Sequence, residues 1–460
     1  MNKNLYLKII FFVFFCLSNI TLAKGLTKDI NPLETGTYSF IDSSKNHIIF
    51  PKGDSSYNLF YRKMDSLVFN NRGQVNILHL GGSHIQADVF SNRVRENLVK
   101  NYPGFTASRG FVFPFSVAKT NTPSSYASSY KGQWDMSKSV LKNITKPLGL
   151  LGIAASTSDP NAEATILLNK YNASPIWFFK NVRIFGFAEH GVVEPVIKLD
   201  ATTFIHGTPD TLSNSFVFNF SSPKDSLTIV FQWGNKDLQD SLKKQSLRID
   251  SLNTDTLKTV LDTNIHYPTF TLTGILLTND TPGISYSSIG INGANVPAYL
   301  ACKNLERDLK FLKPDLLILS IGINDANVDI FDEKLFRAHY DTLIARVRNV
   351  APDVAILFTT NNDSFRKDKK NNFLLQPNGE MARRAFFTMA EKYHAGVWDM
   401  FAIMGGLGSM AEWEKVDLAK KDKVHFNYAG YNLLGDLFYR AIIEAYTRHI
   451  AILPAEEFPQ

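Results

Sequence analysis

The 460-residue chain carries 49 Lys and Arg against 43 Asp and Glu, a formal charge of +6. That small excess gives no case for a nucleic-acid partner, and the only basic block, Arg366-Lys-Asp-Lys-Lys370, reads as a solvated loop. With 44% hydrophobic residues, the chain is too long for one ordinary core, so two domains are expected.

Residues 1–23 read as a secretory signal peptide: Lys3 and Lys8 make a basic start, Ile9 to Leu17 is apolar, and Thr21-Leu-Ala23 offers a cleavage point. The apolar run is shorter than the roughly 20 residues a stable membrane span needs. Phe15 before Cys16 is not the small residue that precedes a lipidated cysteine, so no anchor is expected. Cleavage removes Lys3 and Lys8, taking the charge from +6 to +4, and leaves Cys302 as the one cysteine. Stability therefore has to come from core burial without a disulfide framework, although the destination is outside the cytoplasm.

Apolar runs predict buried parallel strands at Val75 to Leu80, Leu316 to Ile321 and Val354 to Thr359, with a weaker one at Gly396 to Phe401. Helical periodicity covers Ala87 to Val99, Val296 to Leu312, Phe331 to Val350, Gly379 to Tyr393 and Ala429 to Ile450. Strands alternating with helices imply an α/β domain, a three-layer parallel sheet with helices on both faces and its chemistry at the carboxyl ends of the strands. The stretch 112–284 differs: it is rich in Ser, Thr, Asn and β-branched residues, with short strands such as Ser215-Phe-Val-Phe-Asn-Phe and Leu227-Thr-Ile-Val-Phe-Gln-Trp. It is expected to be a β-sandwich inserted between residues 24–111 and 285–460 of the α/β domain. Its aromatic residues Tyr126, Tyr130, Trp134, Trp177 and Trp233 could stack on sugars, but packing is the better reading.

The strand Val75 to Leu80 runs into Gly81-Gly-Ser83 and the start of a helix, the place where an α/β protein sets a nucleophile. A serine hydroxyl needs a base, and the base needs a group to fix its tautomer. Asp422-Lys-Val-His425 supplies both three residues apart, so that His425 is the expected base and Asp422 its orienting carboxylate. Oxyanion donors are expected from the Ser83 amide, from Gly293 in a glycine-bearing loop, and from the Asn324 carboxamide at a strand end. His79 and His84 are read as structural. Scattered histidines and a single remaining cysteine give no support for a metal, and no cofactor is called for.

Gly81-Gly-Ser-His84, Gly293, Gly322-Ile-Asn-Asp325 and Asp422-Lys-Val-His425, in that order, resemble the four blocks of the SGNH (GDSL-type) hydrolase superfamily. The β-rich gap between the first two blocks is similar to that of bacterial peptidoglycan O-acetylesterases, which carry a carbohydrate-binding-like domain there. The resemblance implies Ser83 as nucleophile, Asp422 and His425 as its partners, and Gly293 and Asn324 as oxyanion donors. It further implies an exported, periplasmic or envelope esterase that removes acetyl groups from a polysaccharide. A glycan O-acyltransferase and a non-catalytic glycan-binding protein are the alternatives. One departure stands out: the family's usual Asp before the serine is Gly82, expected to use backbone angles closed to Asp.

Overall fold

The computed structural model describes residues 38–105, 107–170, 176–234 and 267–452; the expected signal peptide at 1–23 lies outside them. The chain divides into two units. One takes the described residues within Met1–Ala107, Asp280–Val296 and Lys313–Gln460, and the other takes those within Ser108–Asn279 and Pro297–Leu312.

The first unit is built on a six-stranded sheet. Its strands are β1 (Ile48–Ile49), β2 (Gln74–Gly81), β3 (Gly283–Gly290), β4 (Leu316–Ser320), β5 (Ala355–Thr359) and, after the hairpin β6 (Phe365–Lys367) and β7 (Phe373–Leu375), β8 (Gly396–Trp398). The order is β1-β8-β5-β4-β2-β3, parallel except for β1 at the edge. Val75, Ile77, Leu78 and Leu80 of β2 and all of Ala355–Thr359 are buried, because a parallel sheet covered on both faces needs apolar side chains on both. The covering helices are α1 (Asn58–Asn70), α2 (Phe90–Lys100), α3 (Glu333–Arg348), α4 (Asn378–Tyr393) and α5 (Tyr428–Ile452). On α5, Leu434, Leu437, Phe438 and Ala441 recur at helical spacing and are buried, each large side chain contributing roughly 2 kcal/mol. Phe438 packs on Trp398 at 4.7 Å, and Trp398 stacks on Phe90 of α2 at 6.1 Å.

Several element bounds differ from expectation for local reasons. Between Ala87 and Val99 the helix starts late, since Asp88 has φ +50 and separates a one-turn helix, Ser83–Gln86, from α2. The weak strand from Gly396 stops at Trp398, where Asp399 caps a helical turn by accepting from the Ala402 N–H. The helix expected over Val296 to Leu312 is two, Val296–Leu300 and Leu305–Leu312, because the Asn304 N–H donates to Leu148 O instead of continuing the helix. The basic run Arg366 to Lys370, read as a loop, belongs in part to the β6–β7 hairpin. Among the described residues no helix is long and apolar enough to cross a membrane.

The second unit holds two antiparallel sheets, of five and seven strands. Both segments singled out in sequence fall in its strands, Ser215–Lys224 and Ser226–Trp233, beside others such as Glu163–Leu167, Phe179–Glu189 and Thr269–Thr278. Phe231 of one sheet meets Phe270 of the other at 5.2 Å, and Trp134 packs edge-on against Phe231. Tyr126, Trp134 and Trp177 are buried core, whereas Tyr130 is exposed.

Candidate active site

Ser83 follows the end of β2 and opens the one-turn helix Ser83–Gln86. The turn fits only because its neighbours are small. A Cβ on Gly81 would lie 2.1 Å from Ile85 Cγ1, and one on Gly290, at the end of β3, would lie 2.1 Å from the Gln86 amide nitrogen and 2.6 Å from Gly82 O. Glycine at both positions lets the turn sit against its own strand and the neighbouring one.

The second loop, after β3, is tied to this turn. Gln86 accepts from the Asn292 N–H at 2.7 Å, and Asn324, from the one-turn helix Ile323–Ala326 after β4, donates its carboxamide to Ala294 O at 2.9 Å. Gly293 has φ +79, a left-handed value at which a Cβ would meet nothing, so its glycine serves the turn. A Cβ on Gly82 would stand 3.3 Å from Asn324 Nδ2 and 3.6 Å from Ala294 O, which places the loops of Ser83, Gly293 and Asn324 together. Among the described residues, the amides of Ser83 and Gly293 donate to no protein acceptor.

The fourth loop supplies the base. Ser83 Oγ and His425 Nε2 are 2.8 Å apart, and His425 Nδ1 is 2.9 Å from Asp422 Oδ2. The other carboxylate oxygen, Oδ1, accepts from the N–H groups of Val424 and His425, each at 2.9 Å. Partial burial pushes the Asp422 carboxyl up, but these amides and the imidazole outweigh it and hold the group below the usual carboxylate range. A charged Asp422 facing Nδ1 fixes the tautomer in which Nε2 faces Ser83 as an acceptor.

His84 and His79 are not part of that chain. His84 bonds Tyr431 Oη through Nδ1 at 2.7 Å, and its ring lies 5.1 Å from that of His425. Burial, and then His425 beside it, lower its pKa to about 3, so it adds no charge against an imidazolium at His425. His79, inside β2, bridges Tyr286 Oη at 2.7 Å and Ser320 Oγ at 2.5 Å, and burial lowers its pKa to about 3. A cavity next to the site is lined by His84, Ile85, Ile323, Asn361, Phe426 and Tyr431. Among the described residues, His84 Nε2 and Asn361 Nδ2 are buried with no hydrogen-bond partner. No group of three or more His, Cys, Asp or Glu among them is arranged to hold a metal.

Sequence reasoning missed the groups that brace the first turn. Asp88 and Arg95 form a fully buried ion pair at 3.0 Å, and both bond Ser288 Oγ, at 2.6 and 2.8 Å. Arg95 also donates to Tyr286 O. This cluster pins α2 to β3 next to the Ser83 turn. Neither Asp88, ahead of α2, nor Arg95, within it, gave a sign of burial in sequence, though an Arg among the apolar residues Phe90, Val94 and Leu98 of an amphipathic helix was a usable hint.

Residues 271–433 match the GDSL-like lipase/acylhydrolase family. The matched segment holds Gly293, Asn324, Asp422 and His425 but not Ser83, which the fold alone brings to the GDSL-like segment. In structure the chain is similar to a peptidoglycan O-acetylesterase, with a TM-score of 0.62 and 20% identity over 89% of this chain and 98% of that one. The likeness establishes a shared fold, the α/β sheet together with the added antiparallel sheets. A lipase/acylhydrolase from Enterococcus faecalis (20% identity) and an acetyl xylan esterase (19%) each overlap 35% of this chain, with 77% and 83% of their own covered. Their TM-scores, 0.27 and 0.28, are too low to argue from. In sequence, no curated protein matches the chain.

The departure from the GDSL pattern has a different basis from the one expected. Gly82 has φ −93, outside the left-handed region reserved for glycine. What distinguishes the position is space, because a side chain there would press on the carboxamide of Asn324.

Proposed function

We propose that the protein is an exported serine esterase that removes O-acetyl or other small acyl groups from a polysaccharide. The observation that carries this reading is the 2.8 Å contact between Ser83 Oγ and His425 Nε2, made across 342 positions of sequence and continued to Asp422. Such a chain is what turns an unreactive alcohol into a nucleophile. As Ser83 Oγ bonds to the acyl carbon, its proton passes to His425 Nε2, and the Asp422 carboxylate stabilises the imidazolium. The carbonyl oxygen becomes an oxyanion facing the N–H groups of Ser83 and Gly293 and the Asn324 carboxamide, each donor worth roughly 10²–10³ in turnover. The tetrahedral adduct collapses by breaking the ester bond, and the sugar oxygen takes the proton from Nε2. Water then gives a proton to Nε2 and attacks the acyl-enzyme, releasing acetate and restoring Ser83.

The glycan substrate is supported by the fold shared with a peptidoglycan O-acetylesterase, and export by the leader-like N-terminus. An intact Ser–His–Asp chain favours catalysis over a binding-only role. Replacing Ser83 by Ala should abolish p-nitrophenyl acetate hydrolysis and labelling by a fluorophosphonate. Hydrolysis retained at the parental rate would rule the mechanism out.

A further inference from the structure

Nine residues in two short runs hold five of the chain's six net positive charges: three from Arg366-Lys-Asp-Lys-Lys370 and two from Lys420-Lys-Asp-Lys423. They lie 50 positions apart in sequence, but the fold joins them. The Phe365 N–H donates to Lys423 O at 3.0 Å, and Asn362 donates its carboxamide to Val424 O at 2.9 Å. The Lys423 ammonium lies between the rings of Phe365 and Phe373, at 5.0 and 5.3 Å from their centroids. Lys423 itself has φ +54, a conformation a non-glycine residue adopts only where its surroundings impose it. The β6–β7 hairpin thus backs the loop of Asp422 and His425, so the two basic runs adjoin along that rim of the site.

The acids in this region are already engaged. Asp368 accepts from the Lys370 and Asn372 N–H groups of its own turn, Asp422 serves His425, and Asp329 pairs with Arg366. Among the described residues, none of the exposed side chains Lys367, Lys369, Lys370, Lys420 and Lys421 is paired with a carboxylate. Beside them Phe373, Leu374 and Leu375 are exposed in a row on β7. The Lys367 and Lys423 ammonium groups lie over the Phe373 ring, at 5.1 and 5.3 Å, which leaves Leu374 and Leu375 as the apolar surface beside the cations. Unpaired cations next to exposed apolar side chains suit a ligand that is anionic and has an apolar face, as a sugar acid does. A neutral glycan would leave the charge unanswered.

We propose that the two basic runs bind the carboxylates of an acidic glycan whose ester group enters at Ser83. The inference rests on the esterase reading for where the ester lies, but the binding itself can be tested without catalysis. The probe is fluorescein-labelled polygalacturonate, compared with the same polymer after methyl esterification, which removes the charge and keeps the sugar. The parent protein is expected to bind the free acid about tenfold more tightly at about 50 mM salt, and the difference is expected to vanish near about 500 mM. A Lys367→Gln/Lys369→Gln/Lys370→Gln variant is expected to lose that preference. Equal binding of the two polymers by the parent overturns the proposal, as does a variant that keeps the tenfold preference. So does tighter binding to anionic phospholipid vesicles than to polygalacturonate, which would assign the rim to a membrane surface. Failure of the esterase reading shows separately, as a parent protein inert toward p-nitrophenyl acetate that still prefers the free acid.

Discussion

The turn that carries Ser83 is walled in: the Ile85 side chain at Gly81 and the backbone of Gly82 and Gln86 at Gly290 leave no room for a methyl group, and a buried Asp88–Arg95 pair closes the side. The loop that carries Asp422 and His425 leaves both of those side chains partly exposed, and its buried apolar residues Leu418, Ala419 and Phe426 lie at its two ends. Amides to Asp422 Oδ1, the hydrogen bond from Phe365 and a lysine between two rings hold it instead. One half of the site is therefore fixed by packing and the other by hydrogen bonds and charge. Substitutions in the first should act through stability, and substitutions in the second through rate.

The largest effect is expected at Gly290. An alanine Cβ there would overlap the Gln86 nitrogen and Gly82 O, both backbone, so relief requires moving a strand or the turn. We expect a loss of about 3 kcal/mol or more, with activity falling alongside. Gly293→Ala is the control: its φ of +79 is strained for alanine but nothing crowds the methyl, and the cost should be nearer 1 kcal/mol. Thermal unfolding of the two variants decides between these. Equal losses would mean that packing does not set the Ser83 turn.

Asp422→Asn tests the other half. Asparagine keeps an oxygen for the amides of Val424 and His425, so the loop should survive and the melting temperature should change little. What changes is the face toward His425: an NH2 in place of Oδ2 cannot accept from Nδ1–H and favours the tautomer that places the proton on Nε2, pointing at Ser83. A fall of roughly 10³-fold in kcat with an unchanged melting temperature is the expected pattern. A variant that loses stability in step with activity would show that the carboxylate holds the loop more than it serves the histidine.

This contrast also accounts for what was legible in the sequence. Strand-end motifs and an Asp–His spacing of three are local, so Ser83, Asn324, Asp422 and His425 stood out, and the structure places their loops together. The strand β3 was missed as part of the parallel sheet because Gly283-Ile-Ser-Tyr-Ser-Ser-Ile-Gly290 carries serines where a buried strand normally has aliphatics. One of them, Ser288, is satisfied by Asp88 and Arg95, partners almost 200 positions away that no local pattern reveals. Helix α1 went unread although Phe60, Tyr61, Met64 and Leu67 recur at helical spacing and are buried. The basic run at 366–370 looked like solvated surface because its significance depends on a neighbour 50 residues on.

Two carboxylates carry the comparison to its smallest expected effect. Asp325, next to Asn324, is largely buried and takes two backbone donors, its own N–H and that of Val296, the latter shared between its oxygens at 3.2 and 3.3 Å. Burial outweighs those donors and raises its pKa to about 6, the reverse of Asp422. A folded-state value above the unfolded one means that the native protein holds the proton more tightly. Stability should then decline as pH rises from about 4 to about 6, and above that window the buried charge should cost on the order of 2 kcal/mol. Asp325→Asn keeps an acceptor for Val296 and removes the charge. It should therefore be more stable than the parent at about pH 7, by an amount that shrinks toward zero as the pH falls to about 4. Asp422→Asn should show any stability difference in the opposite sense, because a lowered carboxyl stabilises the fold above its unfolded pKa and loses that contribution as pH falls. Urea unfolding of both variants across this range reads the two slopes directly. Parallel slopes would mean that burial does not distinguish the two acids, and with that the division of the site into a packed half and a hydrogen-bonded half would fall.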